Sequence, residues 1–409
     1  MPKKTSTSAR GARLRPSIEP SDVFTTGPAK TRPNSAKLHQ FRRTPIVSRL
    51  SCKTRTTAVG MDCACGRRGG AEPVDLPQAI IAVEVGVTAI DLWNARIGVD
   101  GARLLCNALA TNVSVRSVNL GWNELGNAGA GLLAGMLNRN TSVTSFNIAA
   151  NEIGCIGIAA LSDALARSSS IVSVAVWDNR AHKKGATALA EALSRNASIT
   201  FMDLQNNGVG CDGAVAVAAA LEQNTTLATL DLADNVIGSA GGTALSAAIA
   251  KNRGLTALFL GDNRIMAQGM LELAVALEGN PSIHELDVQN NAVTEWTPPF
   301  ASGIDTTNHS HARALGRSDF ALYRLAAALD KNRRLSTIDL RHNCIGDDGA
   351  KALAAALARS SSLLRVDLRG NKIESGSDGA KALDEVLSKR PHLTVLYESA
   401  TGSGMCTIA

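Results

Sequence analysis

Apolar and polar positions along most of the chain follow one recurring pattern, Leu-x-x-Leu-x-Leu-x-x-Asn-x-Ile-Gly. The alternating apolar positions in its first half are typical of a strand. The asparagine returns at a step of 28 residues, and one gap of 52 residues equals that step plus 24. Its positions are Asn123, Asn151, Asn179, Asn207, Asn235, Asn263, Asn291, Asn343 and Asn371. A sustained period of this length indicates a stack of repeated units.

The second half of each unit predicts a helix. It reads Gly-Ala-x-x-Leu-x-x-x-Leu, as at Leu133 and Leu137, and leucines four apart share one helical face. Stacked strands lie about 4.8 Å apart, whereas helices approach no closer than about 8 Å. The helix side of the stack must therefore be longer. We predict an α/β fold, a curved solenoid or horseshoe of about ten 28-residue strand–helix units, with a parallel sheet on the concave face.

The repeat resembles the ribonuclease-inhibitor-like leucine-rich repeats. Similar arrays occur in ribonuclease inhibitor, in NOD-like receptors and in Ran GTPase-activating proteins. The resemblance covers residues 76–398 and implies a binding scaffold. Two departures, Ala95 in the asparagine position and Ala181-His182 in place of Ile-Gly, predict local loosening of the array. No Gly-x-x-x-x-Gly-Lys-Ser/Thr motif occurs in the sequence, which excludes a complete NOD-like receptor.

Charge and periodicity divide the chain into three parts. Residues 1–75 hold 15 Lys and Arg against 5 Asp and Glu, a net charge of +10, and apolar periodicity is absent there. We predict a disordered basic tail over residues 1–73, the repeat array over 74–398 and a flexible tail over 399–409. Three interpretations of the basic tail stay open. It is a solvated regulatory segment, an organelle transit peptide, or a patch for nucleic acid or an anionic membrane.

Cysteine usage bears on the compartment. The eight cysteines show no disulfide-framework spacing, and no run of 18 apolar residues occurs. We therefore expect a cytoplasmic, monomeric protein with free thiols. The C-terminal Cys406-Thr-Ile-Ala fits a prenylation motif, which would attach the chain to a membrane. Prenylation and import into an organelle are competing alternatives to a freely cytoplasmic protein.

Aromatic residues make up only 3% of the chain, so the core must be aliphatic and the placement of each aromatic is informative. Several fall beside the strand leucines, at positions that point to the concave face. Trp93 and Trp177 hold the same place three units apart. Since aromatic residues dominate interface hot spots, we predict a partner site there, although neighbouring strands would cover part of the rings. The predicted contacts are Trp93, Trp122, Trp177, Phe201 and Phe259.

Charged residues mark the same face. The position between the last two strand leucines is often aspartate, as at Asp203, Asp231 and Asp287, which predicts an acidic middle of the array. Towards the end of the array, Arg341 and Arg369 predict a basic face. We hypothesise a protein partner whose basic region faces the middle of the array and is steered there by charge.

The 24 extra residues form an insertion over residues 295–318, after the eighth strand. Insertions in such stacks map to loops on one face, often the binding face. Trp296 and Phe300 favour a contact role for this insertion. His309 and His311 have no thiol or carboxylate beside them, so we expect no metal site.

Catalytic motifs do not accompany the repeats. The sequence contains neither His-Glu-x-x-His nor Gly-x-Ser-x-Gly. We expect no enzyme, no catalytic residue, no cofactor and no requirement for nucleic acid. The leading hypothesis is a non-catalytic protein–protein interaction scaffold. The alternatives are a GTPase-activating protein for a small GTPase, by resemblance to the Ran activators, and a prenylated membrane-associated adaptor.

Overall fold

The computed structural model describes residues 75–293 and 320–397, in which short strands alternate with helices. The predicted tail at 1–73, the insertion at 295–318 with Trp296 and Phe300, and the tail with Cys406 lie outside the described residues. The strands are β1 (Ala89–Asp91), β2 (Ser117–Asn119), β3 (Ser145–Asn147), β4 (Ser173–Ala175), β5 (Phe201–Asp203), β6 (Thr229–Asp231), β7 (Ala257–Phe259), β8 (Glu285–Asp287), β9 (Thr337–Asp339), β10 (Arg365–Asp367) and β11 (Thr394–Leu396). The helices are α1 (Leu76–Glu84), α2 (Gly98–Leu109), α3 (Gly126–Leu137), α4 (Cys155–Arg167), α5 (His182–Arg195), α6 (Gly210–Gln223), α7 (Gly238–Lys251), α8 (Met266–Gly279), α9 (Phe320–Lys331), α10 (Asp347–Arg359) and α11 (Asp378–Lys389).

The eleven strands of the described residues form one parallel sheet in chain order. The register follows the repeat, so that Ile90 lies opposite Val118. The insertion leaves this register intact, because Leu286 of β8 lies opposite Ile338 of β9. Each helix packs against the helix of the next unit. The predicted curved solenoid with a parallel sheet is confirmed.

Leucine columns of the strands and helices form a continuous core between the sheet and the helix layer. Leu105, Leu133 and Leu161 are buried at equivalent helix positions, as the repeat predicts. The aliphatic core has an aromatic exception in Phe146 of β3, which is fully buried. Burial of each such side chain stabilises the fold by about 1.5–3 kcal/mol relative to exposure.

The repeated asparagines that follow the strands are structural. Asn235 is fully buried, and its Nδ2 donates to the carbonyls of Leu204 (2.9 Å), Leu232 (3.0 Å) and Ala233 (3.0 Å). Its Oδ1 accepts the backbone N–H of Asn207 (3.0 Å) in the preceding unit. One side chain thus joins two turns, and its equivalents continue this ladder along the array.

The loosening expected at Ala181-His182 is not found. His182 takes the left-handed φ of 50° that glycine takes at Gly238. Its N–H donates to the carbonyl of Asn207 at 2.9 Å, as the N–H of Gly238 does to Asn263 at the same distance. Ala181 is fully buried in the place of the usual isoleucine. The backbone of this unit therefore keeps the inter-unit bond, at the cost of a strained φ for a residue with a side chain.

The first helix, α1, was not predicted from the repeat. Asp75 caps it by accepting the N–H of Gln78 at 2.9 Å. Ala79 and Val83 are buried, and Leu76 lies against α2 at Gly101. Since the first unit of a solenoid has no preceding unit to cover its core, a helix here closes that end.

The free thiols expected throughout need one correction. Cys106, Cys155 and Cys211 are free, but Cys344 is disulfide-bonded. Burial raises the pKa of the Cys106 thiol to about 12, so this thiol is unreactive at neutral pH. Among the described helices, none is both long and apolar enough to cross a membrane.

Candidate functional site on the concave sheet

Two rows of side chains on the concave face contain most of the predicted contacts. The strand row is the third residue of each strand and contains Asp91, Asn119, Asn147, Ala175, Asp203, Asp231, Phe259, Asp287, Asp339 and Asp367. The outer row lies two residues further along each unit and contains Trp93, Gly121, Ala149, Trp177, Gln205, Ala233, Gly261, Gln289, Arg341 and Arg369. Both rows follow from the repeat, because equivalent residues of stacked units lie side by side.

Two tryptophans of the outer row meet across the intervening units. The ring centroids of Trp93 and Trp177 are 5.8 Å apart, and their planes make an angle of 32°. Three strand spacings separate their backbones, about 14 Å. The rings span this distance over Gly121 and Ala149, the two small residues that lie between them in the row. A Cβ on Gly121 would lie 2.1 Å from Cζ3 of Trp93, so the ring rests directly on the glycine backbone.

We call this pair the tryptophan bridge. Both rings are half-buried, and aromatic pairs in such tilted contact contribute about 0.5–1.5 kcal/mol beyond their buried area. The equivalence of Trp93 and Trp177 was predicted from the sequence. Their direct contact was missed, although the small residues between them were its signal.

Trp122 lies outside the outer row. It is the residue after Gly121, has a left-handed φ of 61° and is 41% exposed. The third described tryptophan therefore stands beside the bridge at the turn that follows β2, not between strand leucines. Bridge and Trp122 together place an aromatic surface on units one to four.

The two predicted phenylalanines differ from each other. Phe201 is the first residue of β5 and is half-buried. Phe259 is the third residue of β7 and only 5% exposed, in contrast to the open position expected for it. It occupies the strand row between Asp231 and Asp287, where side chains of the flanking strands cover it.

The aspartates of the strand row have a structural role that the sequence analysis did not assign to them. Each accepts the backbone N–H two residues further on. Asp203 Oδ1 accepts from Gln205 at 3.0 Å, and Asp231 Oδ1 from Ala233 at 2.8 Å. Asparagine does the same in the N-terminal units, as Asn147 does for Ala149 at 2.9 Å. The preference for Asp or Asn in this row is therefore explained by satisfaction of the backbone.

Burial changes the charge expected of this row. It raises the pKa of Asp203 to about 6 and, with the neighbouring Asp339, that of Asp287 to about 7. Burial and the nearby Asp203 raise the pKa of Asp231 well above its usual value. At neutral pH the middle of the array is less acidic than a count of aspartates predicts.

The basic end expected from Arg341 and Arg369 is neutralised within the array. Arg341 donates from Nε to both oxygens of Asp339 (2.9 and 2.8 Å), and its side chain is 17% exposed. Arg369 pairs with Asp367 at 2.6 Å. Because both aspartates are buried, each arginine serves as their counter-ion and adds little net charge to the face.

One buried polar group beside the bridge has an unused donor. Asn147 is 3% exposed, and its Nδ2 has no hydrogen-bond partner among the described residues. Within residues 75–293 and 320–397, no three His, Cys, Asp or Glu side chains are grouped to fit a metal ion.

Comparisons with known proteins bear on this array. The chain matches the family model described as Leucine Rich repeat at residues 111–134, 223–246 and 331–354. The chain is a solenoid of leucine-rich repeats. Each matched segment runs from the end of one helix across the next strand into the helix that follows, which is the unit described above. No curated protein matches this leucine-rich-repeat protein significantly.

Solved structures similar to this chain include two whose descriptions name leucine-rich repeats. The leucine-rich repeat-containing protein LegL7 from Legionella pneumophila is 23% identical, covers 80% of this chain and 98% of its own, and gives a TM-score of 0.47. The APL1 leucine-rich repeat domain is 12% identical. The match covers 78% of this chain and 63% of that domain, with a TM-score of 0.41. The tropomodulin C-terminal domain from Caenorhabditis elegans is 16% identical. The match covers 37% of this chain and 93% of that domain, with a TM-score of 0.33.

Proposed function

We propose that the chain is a non-catalytic interaction scaffold whose protein partner binds the concave sheet at the tryptophan bridge and Trp122. The observation that carries this proposal is the placement of the described tryptophans on one open face, in a molecule whose core is almost entirely aliphatic. Tryptophan is the residue type most enriched at interface hot spots, because it adds large contact area with few rotatable bonds.

The unused donor of Asn147 supports the same location. A buried amide without a partner destabilises a protein by about 1–3 kcal/mol. Asn147 lies in the strand row next to Ala149, one of the two residues beneath the bridge. A partner carbonyl or carboxylate that reached Nδ2 would remove this cost only in the complex. The site therefore favours a partner segment that offers a hydrogen-bond acceptor together with an apolar or planar side chain.

The charge of the partner follows from the acidic residues beside the bridge. Asp91 and Asp178 flank the bridge and are at least partly exposed. Asp203, Asp231 and Asp287 add charge mainly as the pH rises, because burial raises the pKa of each. These residues would steer a basic partner region towards the bridge, and the contribution of the strand row to this steering would grow as the pH rises.

The two alternatives depend on other observations. No described side chain favours GTPase activation over simple binding, and stimulated hydrolysis of a small GTPase would test it. Prenylation concerns Cys406, which lies outside the described residues, and replacement of Cys406 by serine would test it.

Capture in the native cell tests the proposal. Proximity labelling with the wild type is compared with a variant that carries Trp93→Ala, Trp122→Ala and Trp177→Ala. A matched control carries Ile156→Ala, Val215→Ala and Val275→Ala, which remove exposed apolar side chains from the helices. We expect a set of proteins to disappear with the tryptophans and to remain with the control. An unchanged set in the tryptophan variant would show that the partner binds elsewhere.

A further inference from the structure

A second row of asparagines joins the units at the opposite end of the strands, in the loop after each helix. Each side-chain Nδ2 donates to two carbonyls of the preceding unit. One belongs to the last leucine or isoleucine of that unit's helix, and the other belongs to the residue at the equivalent position in that unit's loop. Asn196 reaches Leu165 (2.8 Å) and Ser168 (2.8 Å), and its Oδ1 accepts the N–H of Ser198 and Ile199. We call this the loop row. Its members with both bonds are Asn140, Asn196, Asn224, Asn252, Asn280 and Asn332.

The loop row is interrupted at Ser168, between α4 and β4. The serine side chain is too short to reach the preceding unit. Its hydroxyl accepts the N–H of Ile171 at 3.2 Å and lies 3.4 Å from the hydroxyl of Ser170. The carbonyls of Leu137 and Asn140 stand where the other units provide acceptors, and no carboxamide of the described chain reaches them.

A cavity of about 240 Å³ lies at this interruption. It opens to solvent between the ends of α3 and α4, and its lining includes Leu137, Asn140, Ser168 and Ser170. Arg167 also lines it, with its guanidinium held by Asn138 Oδ1 at 3.1 and 3.3 Å. The cavity therefore takes the place of the missing asparagine side chain and keeps the two carbonyls that such a side chain would bind.

We propose that this cavity, the Ser168 pocket, binds a primary carboxamide, the group at the end of a glutamine or asparagine side chain of a protein partner. Every complete member of the loop row fills the equivalent space with this group. Its NH2 suits the Leu137 and Asn140 carbonyls, and its oxygen suits the N–H and hydroxyl groups of the serine loop. An ammonium fits less well, because Arg167 lines the pocket with a positive charge.

The array contains a natural comparison at Ser360. The stretch Ala-Arg-Ser-Ser-Ser occurs at residues 166–170 and again at 358–362. At the second copy, Ser360 is 3% exposed and the hydroxyl of Ser362 donates to the carbonyl of Asn332 at 3.2 Å. At the second copy the Ser362 hydroxyl thus satisfies one of the two carbonyls, so the site at Ser360 offers a control for the site at Ser168.

Ligand-observed NMR on the full chain tests the pocket. The probe is propionamide, the side-chain analogue of glutamine, and the control ligand is N,N-dimethylpropionamide, which has no N–H. Saturation transfer from the protein is measured for the wild type and for the variants Ser168→Asn and Ser360→Asn. We expect transfer to propionamide in the wild type and in Ser360→Asn, and about tenfold weaker transfer to the dimethyl amide, because it lacks both donors.

The variant Ser168→Asn should fill the pocket with the chain's own carboxamide. We expect it to abolish the transfer to propionamide and to raise the free energy of unfolding, since it completes the loop row. Equal transfer to the two amides in the wild type would overturn the proposal without any variant. Undiminished transfer to propionamide in Ser168→Asn would overturn it as well. Neither result depends on the tryptophan bridge, so the two proposed sites are tested separately.

Discussion

The indole rings of Trp93 and Trp177 meet with their centroids 5.8 Å apart, although the residues belong to units three apart in the array. The contact depends on what lies between them. Gly121 has no side chain, so the ring of Trp93 can lie over its backbone, and Ala149 adds only a methyl group. Large residues at both ends of a short run of small ones thus form a local aromatic surface, and the outer row contains no further aromatic residue from Gln205 to Arg369.

Replacement of Gly121 by alanine should open the bridge. Its Cβ would lie 2.1 Å from Cζ3 of Trp93, so the ring must move away. We expect a red shift of tryptophan emission and a loss of about 1 kcal/mol in the free energy of unfolding, the contribution of one aromatic pair. Emission spectra and urea denaturation measure both. Gly131→Ala is the matched control, because a methyl group there meets no atom within 4 Å; a red shift in that variant too would remove the link to the bridge.

The turn asparagines make a second prediction. Asn235→Ala leaves three carbonyls and two N–H groups of the preceding turn without their partner. Since each buried unsatisfied group destabilises by about 1–3 kcal/mol, we expect a loss of at least about 2 kcal/mol in urea denaturation. Asn206→Ala removes an exposed asparagine whose Nδ2 donates to Asp178 Oδ1 at 2.8 Å, and it should change little. Similar losses in the two variants would contradict a structural role specific to the row.

Much of this fold was predictable from the sequence, because a 28-residue period fixes the unit, the register and the inward leucines together. The concave face was less predictable. Phe259 and Asp287 look exposed by strand alternation, but neighbouring strands cover them, and only the assembled sheet shows this. The Arg341–Asp339 pair was missed for the same reason, since the sequence analysis assigned Arg341 to a basic face without a counter-ion.

The buried carboxyls of the strand row predict a pH dependence of stability. The pKa of Asp203 is raised to about 6 and that of Asp287 to about 7, so the folded chain holds protons that the unfolded chain has released above about pH 4. Unfolding then releases protons, and stability falls as the pH rises from about 4 to 7 and levels off above. The loss at Asp287 is on the order of 2–4 kcal/mol.

Thermal denaturation at fixed ionic strength between these pH values measures the effect. Asp287→Asn keeps an oxygen for the Gln289 N–H, which Asp287 accepts at 2.8 Å, and removes the ionisation. The decrease of the denaturation temperature per pH unit should be smaller in this variant than in the wild type. An increase of the denaturation temperature with pH in the wild type would be inconsistent with protonated aspartates in the strand row. An unchanged pH dependence in Asp287→Asn would be inconsistent with them as well.

The arginine near the C-terminal end of the array is predicted to stabilise the fold more than it contributes to binding. Arg341→Ala leaves the buried carboxylate of Asp339 without its counter-ion, whereas Asp367 keeps Arg369. Breaking one side of a buried pair destabilises by about 3–5 kcal/mol. Arg180→Ala removes an exposed pair with Glu152 and should lose less than about 1 kcal/mol. The denaturation midpoints of the two variants measure this difference. An unchanged midpoint in Arg341→Ala would contradict the structural role of Arg341 and favour a role in partner binding.

The affinity of the captured partner for the purified chain tests the central claim most directly. Calorimetry compares the wild type, the double variant Trp93→Ala and Trp177→Ala, and the helix-side double variant Ile156→Ala and Val215→Ala. We predict that loss of the bridge weakens binding by at least about tenfold, as expected for a hot spot, and that the helix-side variant binds as the wild type does. Equal affinity of the wild type and the bridge variant, with both folded, would contradict the assignment of the concave aromatic surface as the binding site.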